Sequence, residues 1–202
     1  MTSMMQISPE IRIANSNDSL KDVMTLINDA YRVGEAGIMI DSWTRVLEED
    51  VQTLLDSRRL YLLILNKNII GCYKINTDIE QDADGKVGEW GCLAVHSDYH
   101  SKGYGSLLQT SAEQTLRDIG CEVAQLELLT PTNWVQPHKE RLRKWYIKLG
   151  YSLKVENDYA SSTVKVPSGE KLMGRDNLTL ATDGDFTVYR KRIDLVDYYV
   201  TQ

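Results

Sequence analysis

Between Lys86 and Ile119 the chain changes period. Lys86 to His96 alternates in the two-residue rhythm of a strand, and Gly103 to Ile119 carries Leu107, Leu108, Ala112, Leu116 and Ile119 on one helical stripe. A short turn ending in Lys102-Gly103-Tyr104-Gly105-Ser106 joins the two. A strand running straight into a helix is a building unit of mixed α/β domains, so all-helical and all-β folds are excluded at once. Alternation predicts Val87, Glu89, Gly91, Leu93 and Val95 on one face of the strand, with Trp90, Cys92, Ala94 and His96 on the other. Gly120 is placed to end the helix in a left-handed cap.

The rest of the chain supplies the elements around this unit. Glu10 to Ala14 predicts a short strand, and Asn17, Asp18 and Ser19 offer capping oxygens for a helix buried through Leu20, Val23, Met24, Ile27 and Tyr31. After a break at Gly34 to Gly37, a second helix is predicted from Asp41 or Ser42, burying Trp43, Val46, Leu47, Val51, Leu54 and Leu55. Leu60 to Asn66 and Ile69 to Thr77 read as a hairpin. The acidic loop after it (Asp78, Glu80, Asp82, Asp84, Gly85) is a solvated tip or a lure for amines. Val123 to Leu129 is a strand, and Pro131 and Pro137 bracket a loop with Trp134. A basic helix runs from Lys139 to Leu149 and stops at Gly150. Tyr151 to Glu156 and Asp185 to Ile193 are the last strands. The polar stretch 157–184 between them is long for a loop, and is expected to be functional or mobile. The order β-α-α-β-β-β-α-β-α-β-β predicts one domain over 10–202 with a central sheet, after a disordered lead at 1–9.

Charge and cysteine content narrow the function. With 29 acidic and 23 basic residues the net charge is −6, which lacks the basic footprint of a general nucleic-acid binder and mildly favours a cationic partner. No apolar run approaches the ~20 residues that span a bilayer, so no membrane partner is expected. Cys72, Cys92 and Cys121 are odd in number and form no CxxC pair, which reads as free core thiols in a reducing compartment. The expected location is cytoplasmic, with the nucleus left open. His96, His100 and His138 have no metal-ligand spacing, so no metal site is expected.

The turn before the long helix has the chemistry of an anion site. The first N–H groups of a helix have no internal partner and lie at the positive end of its dipole. Glycines remove the side chains that would hold a phosphate away from those amides. The segment lacks the G-K-[ST] of a Walker loop and the third glycine of a dinucleotide fingerprint.

The stretch from Leu93 to Leu108, LAVHSDYHSKGYGSLL, resembles motif A of the GNAT N-acetyltransferase superfamily, usually [RQ]-x-x-G-x-[GA]. His100, Ser101, Lys102, Gly103, Tyr104 and Gly105 occupy its positions, with His100 where the family has Arg or Gln. Downstream, WYIKLGY from Trp145 to Tyr151 resembles the family's Y-x-[KR]-x-G-[FY], with Tyr146, Lys148, Gly150 and Tyr151 in place. The resemblance spans about Ile11 to Ile193. It implies a mixed α/β GNAT fold, a mostly antiparallel twisted sheet flanked by about four helices, in a monomer or homodimer. It further implies acetyl-CoA as co-substrate and an amine acceptor that attacks the thioester directly, with no metal and no covalent enzyme intermediate. By the same resemblance the Leu93 or Ala94 amide polarises the thioester carbonyl and Val95 pairs with the pantetheine. Lys102, Gly103, Tyr104, Gly105 and Ser106 hold the pyrophosphate, beside His100 and Ser101. Tyr146 is the candidate general acid and Glu89 the candidate base, since a carboxylate in an apolar strand calls for a reason. The basic run His138 to Lys144 reads as a solvated helix face or as an attractant for the 3′-phosphate of CoA. Lys139 stands where the family often has Asn, and Asn133 is an alternative for that contact. The second reading is a CoA-binding sensor without acceptor chemistry; a third is an unrelated α/β binding module. The acceptor is left open among small amines, protein lysines and protein N-termini.

Overall fold

A computed structural model describes residues 8–194 apart from 42, 80, 176 and 177. The expected disordered lead therefore lies outside the described residues except for positions 8 and 9, and Ser42 and Glu80 lie outside them as well. Among the described residues the chain forms β1 (Glu10–Ile13), α1 (Leu20–Gly34), α2 (Glu48–Asp56), β2 (Leu60–Leu65), β3 (Asn68–Asn76), β4 (Val87–Val95), α3 (Tyr104–Asp118), β5 (Val123–Pro131), α4 (Pro137–Lys148), β6 (Ser152–Leu153), β7 (Thr163–Val166) and β8 (Gly184–Arg192). The sheet order is β1-β2-β3-β4-β5-β8-β6, with β7 also on β8. Every pairing is antiparallel except β4 with β5, which run parallel and are joined through α3. A parallel pair needs such a crossover, because a tight turn can only reverse direction.

Each face of the sheet is covered by helices. α3 buries Leu108, Ala112 and Leu116, and α4 adds Tyr146, against Tyr73, Trp90, Leu126 and Leu128. α1 and α2 bury Val23, Leu26, Ile27, Val51 and Leu55 against Leu60, Leu62, Cys72 and Ala94 on the opposite face. The α3 stripe is narrower than its periodicity suggests: Leu107 and Ile119 are exposed. The acidic loop is also tied down. Asp82 and Asp84 both meet Arg190, at 2.6 and 2.8 Å, and Asp78 pairs with Arg59.

Three local expectations are corrected. The second helix starts at Glu48, not at Asp41 or Ser42. The Asn28 side chain donates to Val46 O and accepts from Val46 N–H, both at 3.0 Å, and so uses the backbone groups a helix would need. Trp43 and Val46 are still buried, but from an irregular segment. The strand expected over Tyr151 to Glu156 shrinks to Ser152–Leu153. The stretch 157–184 is not a structureless loop. It contributes β7 and buries Leu172, Leu178 and Leu180 against Ile38, Met39 and Trp43, with a bridge from Met39 to Leu180. This third cluster accounts for the apolar residues on both segments, and each lacks a core without the other.

The most consequential correction lies in β4. Cys72 opposes Ala94 and Lys74 opposes Gly91, so Tyr73 alone faces both Cys92 and Leu93. The extra residue is a β-bulge, and Cys92 takes φ +51° to accommodate it. Before the bulge, Gly88 and Trp90 face α3; a Cβ at Gly88 would come within 2.5 Å of Leu116 and 2.7 Å of the Cys121 sulfur. After it, Leu93 and Val95 face that side, while Cys92 and Ala94 pack under α1. The uniform alternation read from sequence therefore fails. Glu89 shares its face with Ala94, not with Leu93 and Val95, because one inserted residue inverts every later side chain.

Candidate active site

β4 and β5 part company after three paired positions: Val87 with Val123, Gly88 with Ala124 and Glu89 with Gln125. Beyond these the strands diverge and leave backbone groups without a ladder partner. The His96 N–H donates to Ile70 O at 2.8 Å, so the Val95 N–H and C=O, one residue back, point away from β3 into the gap. A groove of about 1740 Å³ runs through the gap. Leu93 and Val95 line it from β4, Leu126 and Leu128 from β5, and Tyr146 from α4.

At one end the groove reaches the turn into α3. Gly103 is the N-cap in the left-handed region at φ +85°, and Ser101 precedes it at φ +60°. Among the described residues, no protein acceptor meets the backbone N–H groups of Ser101 to Ser106. A Cβ built on Gly103 or Gly105 finds nothing within 4 Å. The first turn of α3 holds no acidic residue. Free amides, open space where side chains are missing and the positive end of a helix dipole together make a cradle for an anion such as a phosphate or pyrophosphate.

Side chains contribute less here than backbone. The Lys102 ammonium donates to Asp98 O at 2.8 Å and sits over the Tyr99 ring at 5.2 Å, so it braces the turn. His100 Nε2 bonds Val95 O at 2.8 Å, with the ring nitrogen as donor, and so ties the turn to the open edge of β4. Of the residues singled out from sequence, the groove gathers Leu93, Val95, His100, Ser101, Gly103, Gly105, Ser106 and Tyr146. Ala94, Lys102, Tyr104 and Glu89 do not line it.

Tyr146 is 7% exposed and wedged against Trp90, Trp145 and Tyr151, with ring centroids 6.0, 5.2 and 6.2 Å away. Burial pushes its hydroxyl far above the ordinary tyrosine range, so it is protonated at neutral pH. The hydroxyl has no protein partner among the described residues, and it opens on the groove. Its setting is rigid. Trp90 Nε1 donates to the Tyr151 hydroxyl at 2.7 Å, that hydroxyl donates to Glu113 at 3.0 Å, and Lys191 donates to both Glu113 oxygens at 3.0 and 2.9 Å. The motif residue Tyr151 thus supports the ring beside it.

Past Tyr146, on the α1 side of the gap, the groove becomes ionic. Lys139, 5% exposed, donates to Glu35 Oε1 at 3.1 Å, and Glu35 is 2% exposed. Burial lowers the Lys139 ammonium and the Glu35 charge opposes that shift. This corrects the reading of the basic run as a solvated face: Lys139 is interior, Glu140 pairs with Arg143 and Lys144, and Arg141 lines the groove. Asn133 is exposed and lies away from the groove. Arg45 and Glu127 also line this end. Glu127 is exposed to the groove, and desolvation by the groove walls, then the nearby charge of Glu89, push its carboxyl above its usual value, while Lys74 and Arg45 pull it back. Glu89 itself sits at the foot of the gap, accepting from Gln125 Nε2 at 3.3 Å. Sequence reasoning missed Glu35, Arg45 and Glu127. The available signal was Glu127, a carboxylate in the apolar run Val123 to Leu129 with the same oddity as Glu89.

The sheet is split between parallel strands, with an anion cradle at one mouth of the gap and a set of charged side chains further along it. The sequence model described as "Acetyltransferase (GNAT) family" matches residues 20–151, and the chain belongs to that family. An amino-acid acetyltransferase from Mannheimia succiniciproducens is 27% identical over 137 residues, 67% of this chain but only 28% of that relative. An N-acetyltransferase from Staphylococcus aureus Mu50 superposes with a TM-score of 0.61 at 12% identity, covering 92% of this chain and 99% of that one. The yncA protein of Salmonella typhimurium, solved with its cofactor acetyl-CoA, gives 0.57 at 16% identity, covering 96% and 99%. Among the described residues, no helix is long and apolar enough to cross a membrane, and no three His, Cys, Asp or Glu side chains gather to hold a metal ion.

Proposed function

We propose that this acetyltransferase uses acetyl-CoA and moves the acetyl group to an amine in a ternary complex. The observation that carries the reading is the conjunction of three features in one groove: the partnerless amides of Ser101 to Ser106, the Val95 N–H on the edge of β4 that faces the gap, and the unpartnered Tyr146 hydroxyl. The cradle fits a pyrophosphate, because the space over Gly103 and Gly105 is empty and the amides bordering it lack acceptors. Acetyl-CoA, once bound, supplies the acetyl group as an activated thioester. The Val95 edge is suited to pair with an extended amide chain as another strand would. Arg141, exposed at the groove, is suited to a further phosphate. Tyr146, protonated and rigid, is suited to hand its proton to a departing sulfur.

Glu89 is assigned a positioning role, since its charge helps raise the carboxyl of Glu127, which does line the groove. An amino acid is one acceptor class to test, because the Mannheimia relative is named for it. The test is thiol release from acetyl-CoA across a panel of amines, with calorimetry of acetyl-CoA binding beside it. Turnover of one or more amines supports the reading. Tight binding without turnover would make the protein a sensor, and absence of binding would remove the assignment.

A further inference from the structure

Arg45 carries a guanidinium without a hydrogen-bonded partner among the described residues. Among the described residues it donates no hydrogen bond to a protein acceptor, and the nearest carboxylate oxygen, Glu35 Oε2, is 4.0 Å away. Its side chain is 26% exposed and lies 4.8 Å over the Tyr31 ring, which fixes the plane of the fork. Burial works against its charge, but Glu35, Tyr31 and Glu127 more than offset this, and the group stays cationic. Glu35 gives Oε1 to the buried Lys139 and turns Oε2, which has no hydrogen-bond partner, toward Arg45 at a distance too long for a hydrogen bond. Arg45 therefore lines the groove with guanidinium donors that meet no protein acceptor within hydrogen-bond distance among the described residues.

Glu127 lies on β5 in the same part of the groove. Leu129, on its face of the strand, packs with Ile38 and Trp43 from the segment that also bears Arg45. The charged groups that Glu127 senses are Glu89 on β4, Lys74 on β3 and Arg45 itself. Glu35 is shared between Lys139, which it meets at 3.1 Å, and Arg45, which it meets only at 4.0 Å, so this end of the groove presents a guanidinium that makes no hydrogen bond to protein among the described residues and, in Glu127, a second carboxylate. An anion bound at Arg45 alone would desolvate Glu127 without a partner, and a lone amine at Glu127 would do the same to Arg45. A molecule carrying both charges satisfies both.

We propose that Arg45 and Glu127 form a recognition site for a zwitterionic acceptor, a free amino acid, with its carboxylate on Arg45 and its ammonium on Glu127. Glu127 then accepts one proton from that ammonium, leaving the nitrogen lone pair free. The proposal rests on the acetyl-CoA-dependent reading above. A protein N-terminus or a lysine side chain carries no free α-carboxylate beside its amine and is a poor fit.

The experiment compares kcat/KM for L-amino acids and for their carboxamides, by thiol release from acetyl-CoA, in wild type, Arg45→Gln and Arg45→Lys. Acetyl-CoA binding is measured on each protein by calorimetry. The ratio of acid to amide, rather than either rate, is the readout. Wild type is expected to favour the free acid at least tenfold, Arg45→Gln to bring the ratio to about one, and Arg45→Lys to keep part of it as a point charge without the fork. A wild-type ratio near one, a preference for amides, or a ratio unchanged in Arg45→Gln overturns the proposal. So does a protein that binds acetyl-CoA and acetylates no amino acid, and in that case the donor reading stands. If acetyl-CoA fails to bind, the donor reading falls, and titration of the amino acid alone into wild type and Arg45→Gln decides on Arg45 by the loss of binding in the variant.

Discussion

The two ends of the groove are built in opposite ways. The end proposed for the donor is almost all backbone: amides from Ser101 to Ser106, the edge of Val95, and glycines whose contribution is absence. The end proposed for the acceptor is all side chain: Glu35 after α1, Arg45 before α2, Glu127 on β5 and Lys139 on α4. Backbone recognition suits a group that never changes, such as a pyrophosphate, and needs only that nothing intrude. Side-chain recognition can be altered one residue at a time, at the cost of holding charges that must satisfy one another. Damage at the donor end should therefore be steric and local, and damage at the acceptor end electrostatic and shared.

The largest effects are expected at the junction of the two ends. Tyr146→Phe should keep the ring packed against Trp90 and Tyr151 and lose only the proton donor. A fall in kcat of about 10²–10⁴-fold with unchanged acetyl-CoA affinity is expected, measured by steady-state kinetics and calorimetry. Full activity would make Tyr146 a packing residue. Glu127→Gln should lower kcat on a similar scale and change the pH profile. A proton acceptor works only when ionised, so activity rises with pH through its pKa. Desolvation by the groove walls and Glu89 place that limb above the ordinary value of 4.5. The limb should vanish in Glu127→Gln and move down in Glu89→Gln, with one acceptor used throughout. An unchanged profile in both variants would assign the proton to water.

Stability separates the ends next. Lys139→Met leaves Glu35 buried without its cation, which typically costs about 3–5 kcal/mol, and Glu35→Gln in the same chain should restore much of it. Thermal unfolding of the single and double variants checks the coupling; additive losses would mean that the two charges do not depend on each other.

How much of this was legible beforehand follows the same division. The turn proposed for the donor lies in one stretch of chain, so the change from period two to helical spacing and the glycines at 103 and 105 were enough to point to its strand-to-helix geometry. Trp90, Tyr146 and Tyr151 were visible as residues, but the hydrogen bond from Trp90 to Tyr151 joins positions far apart in sequence. Glu89 was misplaced because a bulge leaves no mark on an alternating pattern; Cys92 at φ +51° is not a residue that announces such a turn. The acceptor end comes from four separate segments, and no local rule connects Glu35 to Lys139. The same holds for Trp43 and Leu178, which looked like parts of a helix and a polar loop and instead form one core.

The smallest of the predicted effects tests the central claim most directly. Gly105 has an ordinary helical backbone, and nothing lies within 4 Å of its would-be Cβ, so Gly105→Val should fold. Gly103, at φ +85°, would add backbone strain and blur the result. The valine methyl groups would occupy only the space over the free amides. Calorimetric titration of CoA into wild type and Gly105→Val should give a loss of at least tenfold in affinity, ~1.4 kcal/mol, with unchanged circular dichroism. Equal affinity in the two folded proteins would contradict the assignment of the α3 turn as the donor's pyrophosphate site.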